Sequence, residues 1–379
     1  MRLEVHQSLE GIDAGAWNAL VGAFPFLRHE FLVALERHGA LGRAFGWLPY
    51  YLVLRDGAGG LYAAAPTFLK MSSYGEFVFD FAWAHAYERH GLAYYPKLVG
   101  AAPFTPATGP RLLVAPDADR AAATHALIDA VHTHAEALGV SGMHWLFPAP
   151  DDLSVLRERG LIVRDDIQYH WCNAGYRDFA DFLDCFSSRK RKKLRRERRR
   201  VAEQGIELVR RRGDTMSSDE WALAHHFYAT TLERKWNIPV LSRAFFEEIG
   251  ATMGEQLVVV LAYHAGIPVG GAILAQGGDT LYGRYWGCDE TYHSLHFEAC
   301  YYQGIEHAIA QGLARYEPGA QGEHKIPRGF LPTWTHSAHW IAHPDFRAAI
   351  GDYVARERRA LAEHFHQLEA LSPFKHTDD

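Results

Sequence analysis

The sequence LVVVLAYHAGIPVGGAILAQGGDTLYGRYWG, residues 257–287, contains three apolar runs that two turn-forming pairs separate. The pairs are Ala265-Gly266 and Gly277-Gly278, and the runs are rich in β-branched and aromatic residues. Runs of this composition favour strands, and such short glycine-containing connections join neighbouring antiparallel strands. Residues 257–287 are therefore predicted to form three antiparallel strands in succession.

Helical patterns surround these strands in the second half of the chain. The predicted helices are residues 178–186, 189–204, 221–234, 243–253, 295–313 and 345–371. The first half shows strands and helices in a similar order, including a helix at 118–138 that Gly139 ends, without a direct sequence repeat. Strands and helices that recur in this way predict an α/β protein with mixed sheets.

Length and composition limit the possible architectures. A chain of 379 residues has the length of two domains, since a domain contains roughly 100–200 residues. We place the boundary near residue 165, which gives domains 1–165 and 166–379. The composition, 48% hydrophobic and 22% charged, is that of a globular protein and excludes a largely disordered, collagen-like or coiled-coil chain.

The expected location is the cytoplasm. No apolar run approaches the roughly 20 residues that a membrane span needs. The N-terminus has no apolar segment typical of a secretory signal. The 4 cysteines are scattered and form no C-x-x-C pair, which favours a reducing compartment over a disulfide framework.

One segment carries most of the positive charge. The chain has 39 basic and 45 acidic residues, a net charge of −6, whereas residues 189–212 contain 13 basic and 3 acidic residues. No proline or glycine occurs in this segment before Gly205, and Leu194 and Val201 are seven residues apart. Residues 189–204, which we call the basic helix, are therefore predicted to form a helix with one thin apolar stripe.

The basic helix has several interpretations. It could be a solvated face that aids solubility, and the motif alone also matches a nuclear-localisation signal. An acidic membrane surface would require more apolar residues than Leu194 and Val201 opposite the arginines. A polyanion site, for RNA phosphates or a nucleotide diphosphate, accounts best for this charge on an acidic protein. The residues predicted to bind the polyanion are Arg189, Lys190, Arg191, Lys192, Arg195, Arg196 and Arg199.

Two segments supply the candidate catalytic residues. Glu298 heads a helical stripe that continues with Tyr302, and it is either a first-turn carboxylate that complements the helix dipole or a buried base. The loop GAQGEHKIPRGF, residues 319–330, brings Glu323 and His324 together with two cations among glycines. It is either a surface loop or a site loop. We predict that Glu298, Glu323 and His324 share one cavity and act as catalytic residues.

Other polar and aromatic residues are predicted to bind substrate. Some would line the cavity that the catalytic residues share, and others would bind an anion in a groove between the two domains. The predicted substrate-binding residues are Lys97, Arg111, Arg284, Tyr285, Trp286, His296, Tyr302, Gln321, Lys325 and Arg328.

No metal is expected, because the sequence has no H-E-x-x-H motif and no cysteine near its histidine pairs. Neither G-x-S-x-G nor G-x-x-x-x-G-K-[ST] occurs, so nucleophilic serine and phosphoryl-transfer chemistry have no support.

Four segments, taken in order, resemble the FemAB-like proteins of the GNAT acyltransferase superfamily. They are SSRKRKKLRRERRRVAEQGI (187–206), AGIPVGGAILAQGGDTLYGRYWG (265–287), HFEACYYQGIEHAIAQGL (296–313) and EPGAQGEHKIPRGFLP (317–332). GEFVFDFAWAHAY (75–87) and YYPKLVGAAPFTPATGPRLL (94–113) extend the resemblance into the first half. It is greatest to a bacterial branch of uncharacterised function and covers essentially the whole chain.

The resemblance implies two GNAT-like domains in tandem, each a mixed and mostly antiparallel sheet flanked by helices. It also implies transfer of an acyl or aminoacyl group to an amine, since characterised relatives move amino acids from aminoacyl-tRNA to peptidoglycan precursors. Aminoacyl-tRNA or a nucleotide-linked precursor is therefore an expected partner. The alternative is a non-catalytic protein that retains the fold and binds nucleic acid or nucleotide phosphates.

One departure from the superfamily concerns coenzyme A. Coenzyme A users carry a Gly-rich turn between a central strand and the following helix, where backbone N–H groups hold the pyrophosphate. The corresponding segment here, WGCDETYHSLHF (286–297), contains one glycine, Gly287. We therefore expect no tightly bound cofactor and no coenzyme A at this position.

Overall fold

The computed structural model describes residues 1–234, 237–320 and 322–375. The chain forms two compact units. Unit 1 consists of Met1–Asp166 and Trp334–His364, and unit 2 consists of Ile167–Thr333 and the described residues from Phe365 onward.

The strands of both units are given first, in chain order. They are β1 (Arg2–His6), β2 (Trp47–Pro49), β3 (Tyr51–Arg55), β4 (Leu61–Ala65), β5 (Thr67–Lys70), β6 (Lys97–Gly100), β7 (Leu113–Val114), β8 (Gly142–Leu146), β9 (Ile162–Cys172), β10 (Ile206–Arg212), β11 (Leu257–His264), β12 (Ile267–Gly277), β13 (Thr280–Cys288), β14 (Arg315–Glu317) and β15 (Leu331–Ile341).

The helices follow in the same order. They are α1 (Ala14–Val21), α2 (His29–Arg37), α3 (Phe81–Arg89), α4 (Arg120–Leu138), α5 (Pro150–Glu158), α6 (Phe179–Asp184), α7 (Ser188–Glu203), α8 (Ser218–Glu233), α9 (Arg243–Met253), α10 (Leu295–Phe297), α11 (Gln303–Ala310) and α12 (Pro344–Glu369). A π-helical turn, Glu298–Tyr302, joins α10 to α11. Short 3-10 turns occupy Pro25–Leu27, Gly213–Thr215, Gly254–Gln256 and Glu323–Arg328.

Unit 1 contains two groups of paired strands. One is the antiparallel order β1-β3-β4-β7, and the other is the order β15-β8-β6-β5-β2. In the second group β6 and β8 run parallel, and the other pairs are antiparallel. Its core includes Leu127 and Val131 of α4, which pack against Trp145 of β8.

Unit 2 has the strand order β10-β11-β12-β13-β14-β9. The β13–β14 pair is parallel, and the other pairs are antiparallel. The predicted mixed and mostly antiparallel α/β fold is therefore confirmed, and the three strands predicted in residues 257–287 are β11, β12 and β13. The core of unit 2 lies between these strands and helices α6, α7 and α11.

The basic helix forms as predicted. Helix α7 runs from Ser188 to Glu203, and Gly205 follows it with a φ of 70°. A φ of this sign favours glycine and ends the helix. Leu194 and Val201 are buried on the inward face, and so is Glu197.

The C-terminal part of the chain departs from the expected division. Residues 334–364 belong to unit 1, although the predicted second domain contained them. Strand β15 pairs with β8, and Ile350 and Val354 of α12 pack against Trp83 and Tyr87 of α3. These pairings join residues about 200 or more positions apart, and local sequence patterns carry no signal for them.

No helix among the described residues is long and apolar enough to cross a membrane.

Helix α8 packs directly on strand β13 at Gly287. A Cβ atom at this position would lie 1.7 Å from the carbonyl oxygen of Phe227 in α8. The obstacle is backbone and cannot move cheaply. We predict that Gly287→Ala lowers the free energy of unfolding by at least about 3 kcal/mol, measured by urea denaturation.

Gly351 provides the matched control for this substitution. It lies inside helix α12, and a Cβ atom there would meet nothing within 4 Å. Gly351→Ala should raise stability by about 0.5–1 kcal/mol, because alanine loses less backbone entropy in a helix. Equal urea midpoints for the two variants would contradict the close packing at Gly287.

Candidate active site

A cavity opens in unit 2 where strands β13 and β14 separate. Their parallel pairing joins Thr280–Tyr282 to Arg315–Glu317, after which β14 ends and β13 continues to Cys288. The cavity has a volume of about 460 Å³. Its walls are formed by Ala272, Ile273, Leu274, Gly283, Arg284, Tyr285, Trp286, His296, Cys300, Tyr301, Tyr316, Pro318, Gly319, Ala320, Gly322, His324 and Lys325.

A bulge in β13 directs residues into this cavity. Tyr285 pairs with Ile273 of β12, and Gly283 pairs with Leu274, so Arg284 is an extra residue in the ladder. Bulges bend a strand and re-aim its side chains, and they are frequent beside active sites. The irregularity thus occurs at the point where the strands part.

Tyr316 forms part of the cavity wall and requires two glycines around it. A Cβ atom at Gly304 of α11 would lie 2.4 Å from the Tyr316 ring, and one at Gly283 would lie 2.9 Å from its hydroxyl oxygen. The Tyr316 hydroxyl donates to the carbonyl of Cys300 in the π-helical turn. π-Helical turns are rare and often mark functional sites.

Two cations, Lys325 and Arg284, line the cavity, and Lys325 is the more deeply buried. Its side chain is buried, and its Nζ donates to the carbonyl of Gly319 at 2.6 Å. Burial lowers the pKa of Lys325 to about 8, and Cys300 acts in the opposite direction. An ammonium paired with a neutral carbonyl retains its attraction for an anion that enters the cavity.

His324 and Tyr301 form a polar pair at the same cavity. The Nε2 atom of His324 lies 2.8 Å from the Tyr301 hydroxyl. His324 is an exposed residue of the lining, and partial desolvation together with the charges of Lys325 and Arg328 lowers its pKa. Burial raises the pKa of Tyr301. The imidazole is therefore neutral at pH 7 and the phenol is protonated, so the pair can accept and return a proton.

The structure brings six of the predicted site residues together in this cavity. They are Arg284, Tyr285, Trp286, His296, His324 and Lys325. Gln321 lies outside the described residues. Glu323 is exposed and is not among the residues that line the described part of the cavity.

Glu298 lies elsewhere, although the sequence suggested that it shares a cavity with His324. Its carboxylate accepts from Arg198 of α7, at 2.9 and 3.1 Å, and from Gln303. Arg198 also donates to Glu306 at 2.6 Å. The carboxylate of Glu298 is thus held in an ion-pair network between α7 and the π-helical turn.

Tyr302 and Arg328 also face α7 rather than the cavity. The Tyr302 hydroxyl donates to Glu197 at 2.5 Å, and Arg328 donates to the other oxygen of Glu197 at 2.9 Å. Tyr302 follows the cavity residue Tyr301, and Arg328 lies three residues after the cavity residue Lys325. Glu197 therefore connects α7 to both segments that form the cavity.

Lys97 and Arg111, predicted as anion clamps between domains, are fully buried in unit 1. Lys97 donates to Glu76 at 2.8 Å and also to Asp80. Arg111 donates to the backbone carbonyls of Leu146, Pro110 and Ala107. Their charged groups are bonded within the protein, so the geometry does not support the clamp role.

The outward face of α7 carries cations that have no acidic partner. In the described chain, no carboxylate lies within ion-pair distance of Arg189, Lys190, Lys192, Lys193 or Arg196. These five side chains line a recess of about 630 Å³. By contrast, Arg191 and Arg195 lie 3.1 and 3.9 Å from Asp184, and Arg199 lies 3.3 Å from Glu203.

Among the lining residues that were not predicted, three carry a hydroxyl or a thiol, namely Cys300, Tyr301 and Tyr316. The prediction that Glu298 and Tyr302 lie on one inward helical face assumed a regular α-helix. The π-helical turn changes which residues face the strands. The available signal for Tyr316 was its position beside the predicted site loop. No local pattern distinguishes Tyr301 from a core tyrosine.

A family model described as FemAB-like, for peptidoglycan biosynthesis and recognition, matches residues 8–376. The protein therefore belongs to the FemAB-like family, and the resemblance found in the sequence is confirmed. No curated protein matches the sequence.

Solved structures share the fold. FemX superposes with a TM-score of 0.54 at 12% identity, over 93% of this chain and 100% of that chain. L-PGS from Bacillus licheniformis has a TM-score of 0.53 at 12% identity, over 93% and 99%. The C-terminal domain of a putative lysylphosphatidylglycerol synthetase from Agrobacterium fabrum has a TM-score of 0.53 at 11% identity, over 90% and 95%. Identities this low show a common fold alone.

The lowered pKa of Lys325 predicts selective reactivity. Its amine becomes half uncharged near pH 8, whereas an ordinary lysine reaches this point near about 10.4. The rate of labelling of Lys325 by a small acylating reagent should rise with a midpoint near pH 8, followed by mass spectrometry of the Lys325 peptide. The Lys325→Arg variant should lose this label, and a midpoint above about 10 would show that the ammonium is well solvated.

Proposed function

We propose that this FemAB-like protein transfers an aminoacyl group from an aminoacyl-tRNA to a primary amine of a peptidoglycan precursor. The acceptor class follows the family description, which names peptidoglycan biosynthesis and recognition. The observation that carries the proposal is a cavity with a buried lysine, joined through Glu197 to a helix on which five cations have no carboxylate partner among the described residues.

The chemistry of the cavity suits acyl transfer. The amine nitrogen of the acceptor attacks the ester carbonyl of the donor, and negative charge develops on the carbonyl oxygen. The ammonium of Lys325 would stabilise this oxygen, since it is buried and its hydrogen bond within the described residues goes to the neutral carbonyl of Gly319. Charge stabilisation of this kind is among the largest contributions to catalysis.

His324 would carry the proton. Its lowered pKa keeps the imidazole neutral at pH 7, so it can take the proton that the attacking amine loses. The ester C–O bond then breaks, and the proton passes to the departing ribose oxygen as the new amide is released. The proton leaves on the product alcohol, and His324 returns to its neutral state.

The outward face of α7 would bind the RNA backbone of the donor. Its recess is lined by five cations that have no carboxylate partner in the described part of the chain, and phosphate contacts supply much of the affinity for nucleic acid. Glu197 is hydrogen-bonded to Tyr302, which follows Tyr301, and to Arg328, three residues after Lys325, so α7 is held next to the cavity within unit 2. RNA on α7 could then present its acylated end to Lys325.

Coenzyme A is not the donor in this proposal. The connection from β13 to α10, residues 289–294, reads DETYHS and contains no glycine. The helix that follows this connection begins with the three residues of α10 and continues with a π-helical turn. This connection lacks the Gly-rich turn whose backbone N–H groups would hold a pyrophosphate.

Lys325→Met tests the catalytic part of the proposal. Loss of the ammonium should lower kcat for transfer of a radiolabelled amino acid from tRNA at least about 100-fold. The KM for aminoacyl-tRNA should stay unchanged, because the phosphate contacts lie on α7. Lys375→Met, at an exposed position of unit 2, is the matched control and should retain full activity.

Lys192→Gln, Lys193→Gln and Arg196→Gln, combined in one variant, test the RNA part. Loss of three phosphate contacts should weaken tRNA binding and reduce the salt slope of binding by up to about 2. The control replaces Arg210, Arg211 and Arg212 of β10 with Gln. This control removes the same charge, but two of these arginines are ion-paired with Glu220 and Asp214.

The outcomes separate the possible functions. Equal losses in the two triple variants would make the effect one of net charge and remove the role of α7. Binding of tRNA by the wild type without any transfer would instead support a non-catalytic nucleic-acid-binding protein. Transfer from an acyl-coenzyme A would overturn the assignment of the donor.

A further inference from the structure

Residues 71–81 of unit 1, MSSYGEFVFDF, expose their apolar side chains and bury their charged ones. Five of the 13 exposed large apolar side chains of the described chain lie in this segment, and each is between 37% and 54% exposed. They are Met71, Tyr74, Phe77, Phe79 and Phe81, which we call the apolar patch. Charged residues are ordinarily exposed and phenylalanines buried, so this segment has the reverse of the usual arrangement.

The charged groups of the segment are held inside unit 1 by Lys97. Glu76 accepts a hydrogen bond from Lys97 at 2.8 Å, and Asp80 accepts from Lys97 and, at 2.5 Å, from Ser73. All four side chains are buried. Burial alternates with exposure from residue 76 to residue 81, so anchoring the two carboxylates inside directs the phenylalanines beside them to the surface.

The backbone of the segment is fixed in this arrangement. Gly75 has a φ of 77°, and a Cβ atom there would lie 2.6 Å from the ring of Phe104. Phe77 has a φ of 60°, which is strained for a bulky residue and persists only where the surroundings enforce it. The rings of Phe79 and Phe81 stack with their centroids 6.1 Å apart. The patch is therefore presented without rearrangement.

Size and charge indicate what could cover the apolar patch. Five side chains of this size, each about half exposed, present roughly 400–600 Å². This is as large as the largest patches of ordinary monomers, which are often functional, but a stable dimer needs about 800 Å² from each partner. Both charged residues of the segment are buried, so no exposed charge within it opposes entry into an apolar phase. A bilayer surface fits these properties better than a second copy of the chain.

We propose that the apolar patch inserts into the interface of a lipid bilayer and attaches unit 1 to the membrane surface. Aromatic side chains suit the boundary between lipid headgroups and acyl chains. The attachment depends on burial of apolar surface and not on lipid charge. It does not rest on the proposed transfer reaction, because the patch and its anchors lie in unit 1.

The first test uses the wild-type protein and vesicles of phosphatidylcholine, which carry no net charge. The protein should float with these vesicles in a density gradient. The bound fraction should stay the same when salt rises from about 0.1 M to about 1 M, where charges are screened within about 3 Å. Contact through the cations of α7 would instead require vesicles that contain phosphatidylglycerol and would be lost at about 1 M salt.

A variant that combines Phe77→Asn, Phe79→Ser and Phe81→Ser tests the patch itself. It should bind phosphatidylcholine vesicles at least about tenfold more weakly, because it loses most of the apolar area that would enter the bilayer. Asparagine tolerates a positive φ, and substitutions of exposed side chains change stability little. Thermal melting should therefore show a folded variant.

Two matched controls change residues outside the apolar patch. The first replaces three side chains of unit 2 that are 54% to 71% exposed with serine, namely Ile238, Ile267 and Leu371. It removes a similar exposed apolar area and should bind neutral vesicles as the wild type does. The second is the triple glutamine variant of α7 that tests RNA binding, and it should also retain this binding.

Several results would overturn the proposal. They are failure of the wild type to bind phosphatidylcholine vesicles, its release at high salt, unchanged binding by the folded phenylalanine variant, and loss of binding in either control. Sedimentation velocity supplies a further one. If the wild type is a dimer and the phenylalanine variant a monomer, a second copy covers the patch and the bilayer does not. The wild-type salt series decides the matter even if the variant fails to fold.

Discussion

The buried carboxylate of Glu197 is the contact on which the candidate site of unit 2 depends. Each of its oxygens accepts one hydrogen bond, from Tyr302 on one side and from Arg328 on the other. Removing one partner of a buried ion pair leaves an uncompensated charge and costs about 3–5 kcal/mol. The carboxylate of Glu197 therefore bonds α7 both to the π-helical turn and to the turn that carries Lys325.

Ion pairs on the inward face of α7 also explain how this helix tolerates so much positive charge. Like charges one turn apart repel, and each such pair costs a few tenths of a kcal/mol or so. The inward face offsets part of this cost, because Arg198 pairs with Glu298 and Glu306. The outward cations have no such compensation within the described chain, so a polyanion bound there would relieve repulsion and gain attraction together.

The sequence was informative where structure depends on neighbouring residues. The strands in residues 257–287 and the limits of α7 followed from turn pairs, apolar runs and Gly205. The ion pair between Glu298 and Arg198 could not be predicted from the sequence. The two residues are 100 positions apart, and Arg198 is one of many arginines in its segment. The placement of residues 334–364 in unit 1 likewise depends on the pairing of β15 with β8, which no local pattern encodes. The six site residues that do line the cavity come from a strand end, a helix start and a Gly-rich loop, and such positions converge in sheets of this kind.

Two buried lysines show why burial alone does not identify a functional residue. Burial alone would lower the pKa of Lys97, but Glu76 and Asp80 more than offset this effect and the pKa is raised. Among the described residues, Lys325 has the neutral carbonyl of Gly319 as its hydrogen-bond acceptor, so burial dominates and the pKa falls to about 8. Lys97 is already ion-paired with Glu76 and Asp80 inside unit 1, so it has a structural role there. Lys325 lacks a resident anion in the described chain and borders a cavity, which is the arrangement that a charge-developing reaction can use.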